Sequence, residues 1–176
     1  AREQVQRLFD PMDRCERLAG ARVSGKLGDL YAEELGRLRQ AIADAMRHEY
    51  ETVAKAGFVL QIDCPDLAMG RHIQYADLDL AEFRKRAGMH IAALNHALAN
   101  IPPEQLRMHL CWGNYEGPHH CDVPMADIID VILTARPSAL SFEAANPRHG
   151  HEWTVFERVK LPAGKVVIPG VIESKS

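Results

Sequence analysis

The sequence has neither a long apolar run nor an excess of basic charge. Apolar stretches such as Val166–Pro169 fall far short of the roughly 18 residues that span a bilayer. The chain has 21 Lys and Arg residues against 24 Asp and Glu residues, and its formal charge of -3 is spread along the sequence. Proteins that bind nucleic acid instead gather basic residues on one face. We therefore expect neither a membrane-spanning protein nor a nucleic acid partner.

The sequence also lacks the patterns of a signal peptide and of a disulfide framework. Residues 1–8 are polar and charged, without the apolar core of a signal peptide, so we expect a cytoplasmic location. The cysteines are irregularly spaced in a chain large enough to form a core without cross-links, so we expect reduced thiols. They are Cys15, Cys64, Cys111 and Cys121.

From residue 29 onwards the sequence alternates helix patterns with strand patterns. Apolar residues step by three or four over 29–56, which predicts a helix capped by Asp29 and Gly57. The pair Asp79 and Glu82 predicts the start of a second helix, which ends before Pro102. The apolar positions of a third helix and of a short fourth one are Met125, Ile128, Ile129, Ile132 and Leu133, then Trp153 and Phe156.

The strand patterns are four short apolar runs at 58–62, 106–112, 138–143 and 165–169. Parallel neighbours need a crossover connection, which a helix supplies, so the alternation predicts an α/β fold with a parallel sheet covered by helices. Ligands of such folds bind at the carboxyl ends of the strands. We therefore expect any functional site at that end of the sheet.

His109, Cys111 and Glu143 are the candidate metal ligands. His109 and Cys111 are two residues apart in a predicted strand, so their side chains point to the same face. Glu143 ends the next predicted strand, and together the three offer the nitrogen, sulfur and oxygen atoms that bind zinc. The purely structural alternatives are that His109 and Cys111 pack in the core and that the Glu143 carboxylate accepts hydrogen bonds from backbone amides. Spacing alone favours these alternatives over metal binding.

Two further groups of histidines lie in predicted loops. His119, His120 and Cys121 follow a Gly-Pro pair and rank second as metal ligands, since loop histidines are commonly at the surface. His149 and His151 lie in a predicted loop near Arg148 and could contact an anionic substrate, although a charged surface is the simpler interpretation.

Several motifs lie at the ends of the predicted strands. They are Gln61-Ile62-Asp63-Cys64-Pro65, Met108-His109-Leu110-Cys111-Trp112-Gly113-Asn114, Phe142-Glu143 and Pro169-Gly170-Val171-Ile172-Glu173-Ser174-Lys175-Ser176. In this order they resemble the catalytic domain of cobalamin-independent methionine synthase and its shorter relatives. The resemblance runs from about Asp29 to the last residue, which divides the chain into an unassigned segment 1–28 and a catalytic region 29–176.

This resemblance implies a (β/α)8 barrel of the TIM type that transfers a methyl group from a methylated folate to a thiol such as homocysteine. In the family a His, a Cys, a Glu and a second Cys hold a zinc ion that binds the acceptor thiol as thiolate. His109, Cys111 and Glu143 match the first three ligands, and Asp63 matches the aspartate that contacts the amino group of the substrate. The chain has no Asp-x-His-x-x-Gly stretch of the cobalamin-binding kind, which fits direct transfer.

The sequence departs from the family at two places. Cys64 stands where the family has Glu before Pro65, and neither the fourth ligand nor the remaining barrel strands fall within the 176 residues. The resemblance therefore implies about half of a barrel, which we expect to pair with a second copy or a partner chain and to transfer methyl groups poorly alone. Two alternatives stay open: a metal-independent lyase or hydrolase that uses His109 and Asp63, and a non-catalytic fragment.

Overall fold

The computed structural model describes residues 26–113 and 117–173, and it confirms an α/β fold built on a parallel sheet. The sheet has four strands in the order β1-β2-β3-β4, and each strand runs parallel to its neighbour. In the described residues the sheet is open, with β1 and β4 at its two edges. The strands are β1 (Leu60–Cys64), β2 (Leu106–Leu110), β3 (Ala139–Phe142) and β4 (Val166–Pro169).

Helices and short 3-10 turns connect the strands. The helices are α1 (Lys26–Lys55), α2 (Gly70–Ile73), α3 (Leu80–Ala97) and α4 (Ile129–Ile132). The 3-10 turns are Pro65–Leu67, Pro103–Gln105, Met125–Asp127 and Glu152–Glu157. Among the described residues, no helix combines the length and the apolar character needed to cross a membrane.

The start of helix α1 differs from the prediction, and its end agrees. Lys26, the first described residue, is already helical, so Asp29 lies inside α1 and the predicted cap at that residue is wrong. At the other end, Gly57 has φ of +88° and its N–H donates to the carbonyl of Ala54 at 3.0 Å. This backbone conformation favours glycine, which explains why the helix stops there. Residues 1–25 of the predicted segment 1–28 lie outside the described residues, and the division at 29 stays a prediction.

Helix α3 begins as predicted, whereas the third predicted helix is shorter than expected. The Asp79 carboxylate accepts a hydrogen bond from the Glu82 N–H at 2.8 Å and so caps α3. The third pattern forms a 3-10 turn at Met125–Asp127 and then only the four residues of α4. Ile128 has φ of -131°, outside the helical range, and it separates the two pieces. The short fourth helix is the 3-10 turn Glu152–Glu157.

One face of the sheet forms the core. Alternate strand residues pack with Phe83, Ala87 and Ile91 of α3 in a single buried cluster. These strand residues are Ile62, Cys64, Met108, Leu110, Leu140 and Phe142. The first strand starts later than predicted, because Phe58 and Val59 are 65% and 62% exposed and precede it. The strand also ends later than predicted, at Cys64, so Asp63 lies within β1.

The other face of the sheet, which we call the open face, is polar near its carboxyl end. Its side chains are all exposed or half-buried. They belong to Gln61, Asp63, Arg107, His109, Ala139, Ser141, Val166 and Ile168. The residues that carry the predicted chemistry therefore lie on the face opposite the core.

Candidate metal centre and the surrounding cavity

Asp63, His109 and Cys111 come together at the carboxyl end of the sheet. The strand register places Asp63 beside His109 in one row across β1 and β2, so both side chains extend from the open face. Cys111 directly follows β2, two residues beyond His109, and returns to the same side. One ligand atom from each of the three residues lies within 4.8 Å of the other two. The three residues could therefore hold a metal ion.

A cavity of about 560 Å³ surrounds these three residues. Its walls come from the ends of β1, β2 and β3, the loop that follows β3, and the segment after β4. Besides the three ligand candidates it is lined by Gly113, Ser141, Phe142, Glu143, Ala144, Ala145, Asn146, Pro147, Arg148, Gly170, Ile172 and Glu173. The cavity is large enough for a small organic substrate next to the metal candidates.

Cys111 is held by backbone contacts on both sides. Its carbonyl accepts a hydrogen bond from the Met69 N–H at 3.1 Å, and its Sγ accepts one from the Gly113 N–H at 3.2 Å. Burial raises the pKa of the Cys111 thiol above its ordinary value, and the nearby Glu143 and Asp63 carboxylates raise it further, against the lowering effect of the Gly113 N–H. Without a cation, the thiol is therefore protonated at neutral pH.

His109 is positioned by the next strand of the sheet. Its Nδ1 lies 3.3 Å from the hydroxyl of Ser141, its neighbour in the β2 and β3 register. A polar partner on one ring nitrogen fixes the ring orientation and leaves the other nitrogen to bind a ligand. Sequence reasoning overlooked Ser141, although its position two residues before Glu143 in the same strand pattern could have indicated it.

Glu143 lines the cavity but is engaged by its own loop. It follows β3, and its Oε2 accepts a hydrogen bond from Asn146 Nδ2 at 2.8 Å. Glu143 is not one of the three residues whose ligand atoms lie within 4.8 Å of one another. Asp63 is the third member of that group, where Glu143 was predicted. Glu143 as third ligand therefore stays a prediction that requires its side chain to turn from Asn146 toward Cys111.

A second group of possible ligand atoms includes two histidines that were predicted to lie at the surface. His119, Asp122 and His149 have side chains that are only 6%, 9% and 4% exposed. Asp122 Oδ2 lies 2.7 Å from His119 Nδ1 and 3.1 Å from His149 Nε2, the latter without hydrogen-bond geometry. The surface interpretation of His119 and His149 is thus wrong. Their neighbours His120 and His151 are exposed.

The burial of His149 has a clear structural cause. Its ring stacks on the indole of Trp112 at a centroid distance of 4.3 Å, and Trp112 itself is fully buried with its Nε1–H donated to the carbonyl of Val123. The His149 backbone N–H donates to Asn146 Oδ1 at 2.7 Å. Two loops from different parts of the sequence thus close over the end of β2, an arrangement that spacing along the chain does not reveal.

Of the cysteines, Cys64, Cys111 and Cys121 lie in the described residues, and all three are free, as predicted. Cys64 points into the core, where burial raises its pKa far above the ordinary value, so it is not a nucleophile candidate. Cys15, Asn114 and the last three motif residues, 174–176, lie outside the described residues.

Comparison with models of known protein families, with curated proteins and with solved structures gives no match.

Proposed function

We propose that this chain is a zinc-dependent thiol methyltransferase, or the metal-bearing part of one. The observation that carries the proposal is the group of Asp63, His109 and Cys111, whose ligand atoms lie within 4.8 Å of one another in a cavity. One oxygen, one nitrogen and one sulfur donor suit zinc better than magnesium or calcium, which prefer oxygen alone.

Some residues of the cavity would bind the metal ion, and another orients one of the ligands. His109 and Cys111 would hold the ion together with Asp63 or Glu143, and Ser141 orients the His109 ring. Zinc supplies one kind of chemistry when bound, namely stabilisation of a substrate thiol as thiolate near neutral pH. The open side of the cavity leaves room for that thiol. If Glu143 is the third ligand, Asp63 is free to contact the amino group of an amino acid substrate.

The resemblance to cobalamin-independent methionine synthase supports the choice of reaction. It suggests homocysteine as the thiol and a methylated folate as the methyl donor. Four parallel strands, with Asp63 and His109 in one row on the open face and Cys111 just beyond it, are compatible with about half of a (β/α)8 barrel, in which that face would point to the barrel interior. We extend this to the proposal that the face is completed by a second copy or by a partner chain.

A metal-independent acid–base enzyme is the second candidate. The observation that favours it is the side-by-side placement of Asp63 and His109, a carboxylate and an imidazole within reach of one another. This candidate needs neither the Cys111 thiol nor a metal ion. Metal dependence therefore separates the two functions.

Thiol binding to the cobalt-substituted protein tests the proposed function. Co²⁺ occupies zinc sites and reports thiolate binding through its absorption, so added homocysteine is expected to strengthen the thiolate-to-cobalt band of the wild-type chain. The double variant His109→Ala, Cys111→Ala should show no such band. The matched control His120→Ala, Cys121→Ala removes the same residue types outside the group and should behave like the wild type. A wild-type spectrum that does not respond to homocysteine would contradict the proposal.

A further inference from the structure

A second cluster of metal-binding side chains takes no part in the proposed function. His119 and Asp122 belong to the loop after β2, and His149 belongs to the loop after β3. One ligand atom from each residue lies within 4.8 Å of the other two. The described residues that line the cavity do not include any of the three. The contacts of the cluster itself therefore indicate what it can bind.

Three polar atoms of this cluster are buried without a hydrogen bond. Within the part of the chain that the structure describes, neither ring nitrogen of His149 has a hydrogen-bond partner, and Asp122 Oδ1 has none either. The two side chains are only 4% and 9% exposed, so bulk solvent does not supply the missing partners. Unpaired buried polar atoms lower stability, and native proteins contain few of them. The three atoms together indicate that a bound ion completes the cluster.

The spacing of the ligand atoms suits an ion. Asp122 Oδ2 lies 2.7 Å from His119 Nδ1 and 3.1 Å from His149 Nε2, and only the first of these contacts has the geometry of a hydrogen bond. Atoms bound about 2.1 Å from a tetrahedral ion lie roughly 3.4 Å apart. The second contact is close to this value, and the first reaches it when the pair opens by about 0.7 Å. The ion then takes the place of the proton between His119 and Asp122.

The charge of the surroundings favours a cation. The Asp122 and Glu152 side chains are only 9% and 8% exposed, and carboxylates are rarely buried unless they are paired or bound to a metal. Glu152 Oε2 accepts a hydrogen bond from the Met125 N–H, and its Oε1 lies 3.8 Å from His149 Nδ1. A carboxylate on the side of the second ring nitrogen is common at metal-binding histidines, because it orients the ring.

Arg148 limits the affinity of the cluster for an ion. Its Nη1 lies 3.1 Å from His119 Nε2, which accepts because a guanidinium group can only donate. An ion on His119 Nδ1 moves the ring proton to Nε2, where it faces the Arg148 donor. Metal binding therefore requires this exposed side chain to turn away from His119. Removing its positive charge should strengthen binding.

We propose that His119, Asp122 and His149 bind a divalent metal ion of the zinc and iron(II) class, which fastens the loop after β2 to the loop after β3. Two nitrogens and one oxygen suit such an ion better than magnesium or calcium, which prefer oxygen alone. The burial of all three ligands indicates a structural site, and the inference does not depend on the methyltransferase proposal.

This second site is expected to be the weaker of the two. It offers one anionic ligand next to the charge of Arg148, whereas the group at Asp63 and Cys111 offers a carboxylate and a thiolate. The ion should therefore be lost from the second site on dialysis and return when metal is added. A titration with added metal is the suitable measurement.

Cobalt titration of the double variant His109→Ala, Cys111→Ala tests the inference without interference from the first site. We expect one Co²⁺ per chain with the visible absorption of nitrogen and oxygen ligands. The near-ultraviolet band of a cobalt-bound thiolate should be absent, since none of the three proposed ligands is a cysteine. A thiolate band in this variant would move the ion to a cysteine and contradict the proposed set of ligands.

Further substitutions in the same double variant identify the ligands. His119→Ala with His149→Ala should abolish cobalt binding. The matched control His120→Ala with His151→Ala removes two exposed imidazoles from the same loops and should leave the dissociation constant unchanged. Arg148→Gln should lower the dissociation constant, because it removes the cation that opposes the ion.

Asp122→Asn keeps the size of the side chain and decides the matter if the histidine variants do not fold. It should weaken cobalt binding at least tenfold, because the charged ligand is lost. Urea unfolding gives a second readout: Co²⁺ at about 100 times its Kd should lower the unfolding equilibrium constant about 100-fold, and Asp122→Asn should remove this effect at the same concentration. The absence of cobalt binding, or binding and stabilisation that survive Asp122→Asn unchanged, would overturn the site.

Discussion

At the scale of single residues, the ion pair between Arg84 and Asp130 makes the free energy of unfolding depend on the charge of the Asp130 carboxylate. Arg84 in α3 donates from Nη1 and Nη2 to the two carboxylate oxygens of Asp130 in α4, at 2.9 and 2.6 Å, and also to the carbonyl of Asp127. The hydrogen bond from Arg84 and then its positive charge hold the pKa of the Asp130 carboxyl below its ordinary value of 3.8. Asp130 is 64% exposed, so solvent weakens the pair.

Asp130→Asn is expected to lower the free energy of unfolding at neutral pH by about 0.5 kcal/mol, the typical worth of an exposed ion pair. The folded pKa is depressed, so the contribution is complete above the ordinary aspartate value and is lost as the pH falls through the folded value. Urea unfolding from neutral pH down to about pH 3 should show the gap between wild type and variant closing. Asp77→Asn, at an exposed aspartate, is the control, and a gap that stays constant with pH would contradict the prediction.

Single residues also mark the limit of what the sequence could predict about the site. His109 and Cys111 share a face because strand side chains alternate, and this local rule predicted their proximity. The place of Asp63 beside them depends on the register between β1 and β2, which spacing within one strand does not give. The burial of His119 and His149 depends instead on Trp112 and on a loop that is distant in sequence. Spacing along the chain does not carry such contacts, so these histidines were assigned to the surface.

At the scale of elements, the order of helices and strands was predictable and their limits were less so. The strand runs are apolar because one sheet face packs on α3, and the caps Asp79 and Gly57 act through local backbone contacts. The third predicted helix is interrupted at Ile128. The apolar pattern did not indicate this, because the apolar positions around Ile128 are buried in a 3-10 turn and in a short helix alike. Periodicity reports which face is buried, and several backbone conformations satisfy the same pattern.

At the scale of the whole molecule, the open face leads us to expect self-association. Val166 and Ile168 are 53% and 38% exposed on β4, an edge strand of the described sheet. An edge strand with exposed apolar side chains pairs readily with another chain. Sedimentation velocity should show a mass above that of one chain that falls on dilution.

Variants identify the surface responsible for this association. Ile168→Glu should shift the chain toward the monomer, because a charge in the pairing surface is costly. Leu30→Glu, an exposed apolar residue on α1, should leave the association unchanged. A compact monomer at every concentration, or equal effects of the two variants, would count against completion of the open face by a second copy.

The metal content of the purified protein tests the central claim most directly. Mass spectrometry of the metal bound to the purified chain should find about one zinc per chain in the wild type and in the control His120→Ala, Cys121→Ala. The double variant His109→Ala, Cys111→Ala should contain almost none, because it loses two of the three close ligand atoms. Stoichiometric zinc that persists in this double variant, or its absence from a wild-type chain incubated with zinc, would contradict the account.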